Sequence, residues 1–72
     1  MTVSVKGHAY RMSKKEYQEF LKNISENVPF GIYCIERNGK AELMNIHCKS
    51  MSELKHCKRK WKREGYKVYE NR

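Results

Sequence analysis

Two His-Cys dipeptides, His47-Cys48 and His56-Cys57, and a third thiol at Cys34 are the residues whose types first invite chemistry. Thiolate and imidazole together can hold zinc or form a nucleophile–base pair. The spacing favours neither. Eight residues separate Cys48 from Cys57, where a zinc knuckle has about two to four. Adjacent side chains on a helix diverge by about 100°, so His56 and Cys57 would struggle to reach one ion. A Cys–His pair also needs a third group to orient the base, and an oxyanion site. The acids are all Glu, and most fall on helix surfaces. The expectation is therefore no metal, no cofactor and no catalysis.

A second constellation is cationic. The stretch Ser50–Gly65 reads SMSELKHCKRKWKREG. Ser50 and Glu53 have the spacing of a helix capping box, and Gly65 can supply a left-handed stop. With Met51 at zero on a helical projection, Cys57, Trp61 and Leu54 fall at about 240°, 280° and 300°. Lys58, Lys62, Lys55, Arg59, Arg63, His56 and Lys60 fill the arc from about 340° round to 180°. One side can sit on a core while the rest presents dense positive charge. Within that arc Trp61 reads as a core anchor rather than a base-stacking residue.

The whole chain supports this emphasis. Its 72 residues suffice for a single compact domain, residues 1–72, with a modest core. The formal net charge is +8, from 16 Lys and Arg against 8 Glu, with no Asp. Residues 49–67 hold eight of the bases (Lys49, Lys55, Lys58, Arg59, Lys60, Lys62, Arg63, Lys67) against Glu53 and Glu64, a local +6 that leaves +2 for the rest. Clustered charge attracts a polyanion better than the same charge spread evenly. The N-terminus, MTVSVKGHAY, lacks the apolar core of a signal peptide, and Phe30–Ile35 is too short to cross a bilayer. Three cysteines are an odd number for a disulfide framework. A reduced, cytoplasmic setting is expected, with no membrane partner, because the core claims the apolar arc of the basic helix.

The elements that would position these groups can be read in order. Thr2–Arg11 alternates Val3, Val5, Gly7 and Ala9 with Ser4, Lys6, His8 and Tyr10, as one strand would. Ser13–Ser25 opens with a capping box, Ser13 and Glu16, and puts Tyr17, Phe20, Leu21 and Ile24 on one face. Phe30–Arg37 and Lys40–Cys48 are strands joined by Asn38-Gly39, a type I′ hairpin pair. The basic helix follows, and Tyr66–Tyr69 is a short last strand. The order is β-α-β-β-α-β, and the two halves align at an offset of 37 residues, Ser13 on Ser50 and Glu16 on Glu53. Two such units with right-handed crossovers predict a ferredoxin-like two-layer α+β sandwich. It would have a four-stranded antiparallel sheet with both helices on one face. The open face would show Lys6, His8 and Tyr10 beside Leu43, Asn45 and His47. This reads as a polar, solvated face with Tyr10 covering apolar neighbours, as a stacking platform for single strands, or as a protein or self-association surface.

Two known families share that order. Gly7-His8-Ala9-Tyr10-Arg11 resembles the end of the acylphosphatase phosphate loop, Gly-x-x-aromatic-Arg, over these five residues. The second strand carries no Asn at the matching place, so acyl-phosphate hydrolysis is not expected. The RNA-recognition motif has an aromatic signature in its third strand; here that strand reads KAELMNIHC and has no aromatic.

The expected function is a small basic, non-enzymatic nucleic-acid-binding protein. Its contacts would be Lys55, Lys58, Arg59, Lys60, Lys62 and Arg63 on the helix of about residues 50–64, extended by Lys6, Tyr10 and Lys67. The alternative is a protein-interaction module, an inhibitor or adaptor of the kind phages encode, whose basic helix docks on the carboxylates of an acidic surface, with hot spots that include an aromatic such as Tyr10, Tyr33 or Tyr69. Self-association through an edge strand, giving a homodimer, could accompany either.

Overall fold

Ser13 and Ser50 start the two helices. In the structure, a computed structural model describing all of Met1–Arg72, α1 spans Lys14–Ser25 and α2 spans Met51–Arg63. Ser13 Oγ accepts from the Glu16 amide and Glu16 Oε1 accepts from the Ser13 amide, each at 3.2 Å. Ser50 Oγ likewise accepts from the Glu53 amide at 3.2 Å, but Glu53 reaches one residue further back, to the Lys49 amide. Gly65, at φ +88°, ends α2 in the left-handed conformation. The Gly65 and Tyr66 amides donate to the Lys62 and Trp61 carbonyls, both at 3.1 Å. That is the two-bond Schellman stop, and the Trp61 and Tyr66 rings close it edge-on, 5.6 Å between centroids.

Five strands form the sheet: β1 Thr2–Val5, β2 His8–Arg11, β3 Gly31–Arg37, β4 Lys40–His47 and β5 Lys67–Asn71. The Asn38-Gly39 hairpin forms as expected, with φ of 55° and 75° and Arg37 paired to Lys40. The stretch read as one strand, Thr2–Arg11, is a second hairpin of the same kind. Lys6 and Gly7 take φ of 50° and 85°, and Val5 pairs with His8. The sheet order is β2-β1-β4-β3-β5; β1 runs parallel to β4 and all other neighbours are antiparallel. The α+β class holds. The four-stranded antiparallel sheet and the ferredoxin-like topology do not, because the extra hairpin adds a strand and reverses the chain before α1.

That reversal decides where the helices go. β2 and β4 run in opposite directions, and the chain leaves both toward the β5 edge. Right-handed crossovers from two such strands fall on opposite sides of the sheet. The side chains agree. Val3, Tyr17, Leu21, Cys34 and Ala41 form one buried cluster, under α1. Ile32, Ile35, Cys48 and Leu54 form another, under α2, joined by half-buried Cys57, Trp61, Tyr66 and Val68. Cys34 and Ile35 are neighbours on β3 and face opposite ways, as strand alternation requires. A register shift between Ile32 and Cys34 turns Ile32 to the α2 side as well. β3 is therefore apolar on both faces because a helix covers each.

Candidate nucleic-acid interface

α2 carries six bases against Glu53, and α1 carries Lys14, Lys15 and Lys22 against Glu16 and Glu19. The two outer layers thus differ sharply: +5 on one and +1 on the other. Leu54 is fully buried and anchors α2, with Trp61 and Cys57 beside it. This orientation leaves Lys55, Arg59, Lys60, Lys62 and Arg63 exposed to solvent. Lys55, Arg59 and Arg63 repeat every four residues, about 6 Å apart along the axis. Arg59 lines both shallow grooves on this surface, one with His56, Lys60, Arg63 and Glu64, the other with Lys55, Lys58 and Lys62.

Lys58 belongs to the structure rather than to the free surface. Its Nζ lies 2.5 Å from Glu70 Oε1 on β5, and both side chains are mostly buried. Arg72 reaches the same oxygen at 3.2 Å, and Glu70 Oε2 is buried without a partner. Burial alone would push the Glu70 carboxyl up; hydrogen bonds and charge from Lys58 and Arg72 outweigh it and hold the carboxyl below its usual range. The pair pins one flank of α2 over the β5 edge.

The other expected contacts lie elsewhere. Tyr10 pairs with Val3, which faces α1, and is 51% exposed at the β2 edge. Lys67 pairs with Glu36, also on the α1 side, and its Nζ sits 5.0 Å from the Tyr69 ring centroid. Lys6 is in the β1–β2 turn. These three are not contiguous with the α2 cations. The expected open sheet face is not formed either: α1 covers the side that carries Val3, Ala41 and Cys34, and α2 covers β3 and β5 on the other. Beneath α1, Glu36 Oε1 accepts from the Tyr17 and Tyr69 hydroxyls, each at 3.0 Å. Burial pushes the Tyr17 phenol far up, so it stays protonated and donates. The tyrosines Tyr17, Tyr33 and Tyr69 pack on one another, with Tyr69 6.3 and 6.2 Å from the other two. Tyr17 is buried in the core cluster, and Tyr33 and Tyr69 pack against it half-buried, so they do not form a free platform.

Arg37 is the basic residue at this site that sequence reasoning passed over. Its guanidinium lies 4.2 Å above the Tyr66 ring and donates to the Glu64 carbonyl at 2.8 Å. A cation there complements the negative end of the α2 dipole and continues the basic surface onto the hairpin. The thiols Cys34, Cys48 and Cys57 are all free. Burial, and then the neighbouring Cys57, push the Cys48 thiol up. No three His, Cys, Asp or Glu side chains converge as metal ligands. No helix is long and apolar enough to cross a membrane. No protein-family model matches the chain, and no curated protein or solved structure matches it.

Proposed function

We propose that this is a non-enzymatic nucleic-acid-binding protein that grips the phosphate backbone of a duplex with the outward face of α2. One observation carries the reading: five exposed bases on α2 stand on the side opposite the mixed-charge surface of α1. Lys55 to Arg63 spans about 12 Å of helix axis. A duplex sets one negative charge per about 1.7 Å of its own axis, so each of the five bases can meet a phosphate. Contacts of this kind give affinity with little sequence preference. α2 has no Asn or Gln to read adenine, while Arg59 or Arg63 could read guanine.

The duplex is favoured over a single strand because, of the aromatics, only Tyr10, on the face opposite α2, is well exposed, and the other tyrosines and Trp61 are engaged in packing. Trp61 and Tyr66 close the end of α2, and Tyr17, Tyr33 and Tyr69 lie under α1. The test is fluorescence anisotropy with labelled duplex DNA over a salt series. Log K should fall against log salt with a slope of about −4.5 or steeper, at −0.9 per phosphate. The variant Arg59→Gln/Lys62→Gln/Arg63→Gln should stay folded and lose about 2.7 of that slope. Negligible binding at about 0.15 M salt would refute the reading and leave α2 to the carboxylates of an acidic protein.

A further inference from the structure

α2 packs mainly on β3 and β5, with Met44 and Ile46 of β4 joining its cluster, so β1, β2 and the Lys40–Glu42 end of β4 have no helix above them on that side. The strand register shows what lies there. Arg11 pairs with Thr2, Thr2 with Lys40, and Lys40 with Arg37. Directly paired residues share a face. The next row is Ala9, Ser4, Glu42 and Ile35, and Ile35 packs under α2. The row Arg11, Thr2, Lys40 and Arg37 therefore runs across the sheet on the α2 side, and its three bases are all exposed. Thr2, Ser4 and Ala9 give it a floor of short side chains.

The helix makes the wall. Lys58 binds Glu70 and so faces the β5 edge. Lys60 is about 160° away round the helix, so its flank faces the uncovered strands. At the corner, a groove of about 340 Å³ is bounded by Arg37 and Tyr66 on the helix side, with Ser4, Lys40 and Glu42 at its floor. The result is a step about three strands, or some 10 Å, wide, with bases on the wall and along the floor.

We propose that this step is a second phosphate-binding surface, which seats one sugar–phosphate backbone of the duplex DNA held by α2. Arg11 and Lys40 bind phosphates there, with Arg37 fixed between them and the helix. The inference rests on the nucleic-acid reading of α2. It adds two residues from strands far from α2 in sequence. Charge complementarity identifies the occupant: Arg11, Lys40, Arg37 and Lys60 outnumber the two carboxylates, Glu42 and Glu64, and the aromatic at the step, Tyr66, is already covered by Arg37. The floor suits a backbone because its side chains are too short to block close approach.

The probe is a labelled mixed-sequence duplex DNA, titrated over a salt series with the full chain. Arg11→Gln/Lys40→Gln should reduce the slope of log K against log salt by about 1.8, at −0.9 per phosphate. Glu42→Gln should tighten binding. Lys15→Gln/Lys22→Gln, on α1, should leave the slope at its wild-type value. Circular dichroism checks that each variant is folded. If Arg11→Gln/Lys40→Gln keeps the wild-type slope while the triple α2 variant loses its own share, the second surface is overturned and the α2 reading stands. If wild-type protein fails to bind the duplex, the α2 reading and this one fall together.

Discussion

Lys58 on α2 and Glu70 on β5 form a mostly buried ion pair, Nζ to Oε1 2.5 Å. The contact takes one base out of the cationic face and fixes the helix against the sheet edge. Lys58→Gln should destabilise the fold by about 2 kcal/mol, because Glu70 loses a charged hydrogen-bond donor. Duplex affinity of the folded variant should change little. Urea denaturation and anisotropy on the same protein separate the two effects; a large affinity loss with unchanged stability would return Lys58 to the interface.

The same pair sets a pH dependence. The folded Glu70 carboxyl titrates below its unfolded value. Its contribution is therefore present above the unfolded pKa, in the ordinary carboxylate range, and is lost as pH falls through the lower folded value. Thermal melts from pH 6 downward, in about half-unit steps, should show a loss of stability that Lys58→Gln reduces. An identical acid limb in both proteins would contradict this role.

Gly31 is a fixed point between β3 and β4. Its φ is +151°, and a Cβ added there would stand 1.8 Å from the Ile46 carbonyl oxygen. Gly31→Ala should cost about 3 kcal/mol or more, since it combines backbone strain with a clash against main chain. A variant with a wild-type melting curve would mean that the strands are not this close.

Lys6 holds a left-handed conformation that costs a lysine about 1–2 kcal/mol. Asn occupies that region readily and is favoured in type I′ turns. Lys6→Asn should raise stability by about 0.5–1 kcal/mol. A loss of stability would argue against the β1–β2 turn.

That turn explains how far the fold could be read from the residues. Ser13, Ser50, Gly65 and Asn38-Gly39 carry local signals that mark helix starts, a helix stop and a hairpin, and each forms. Leu54, Cys57 and Trp61 give α2 its buried face by periodicity alone. Lys6-Gly7 carries no Asn-Gly signal, and the alternation runs on through it without a break. Two cues were present: a glycine inside the strand pattern, and a ten-residue run where strands usually have five or six. Missing one turn reversed the direction of the strand entering α1, and so moved α1 to the other side of the sheet. That single reversal brought α1 over the face expected to be open, and Tyr10 and Lys67 lie on that face, away from the α2 cations. The engagement of Lys58, and the alignment of Arg11 with Lys40 and Arg37, depend on pairings between distant strands and had no local signal.

The most direct test of the central claim is an NMR titration of isotope-labelled protein with a short duplex DNA. Amide shifts should concentrate at Lys55–Arg63, with further changes at Arg37, Lys40 and Arg11, while α1 from Lys14 to Ser25 stays silent. Shifts confined to α1 or the Tyr10 edge, or no shifts at all, would contradict the assignment of the α2 side as the nucleic-acid surface.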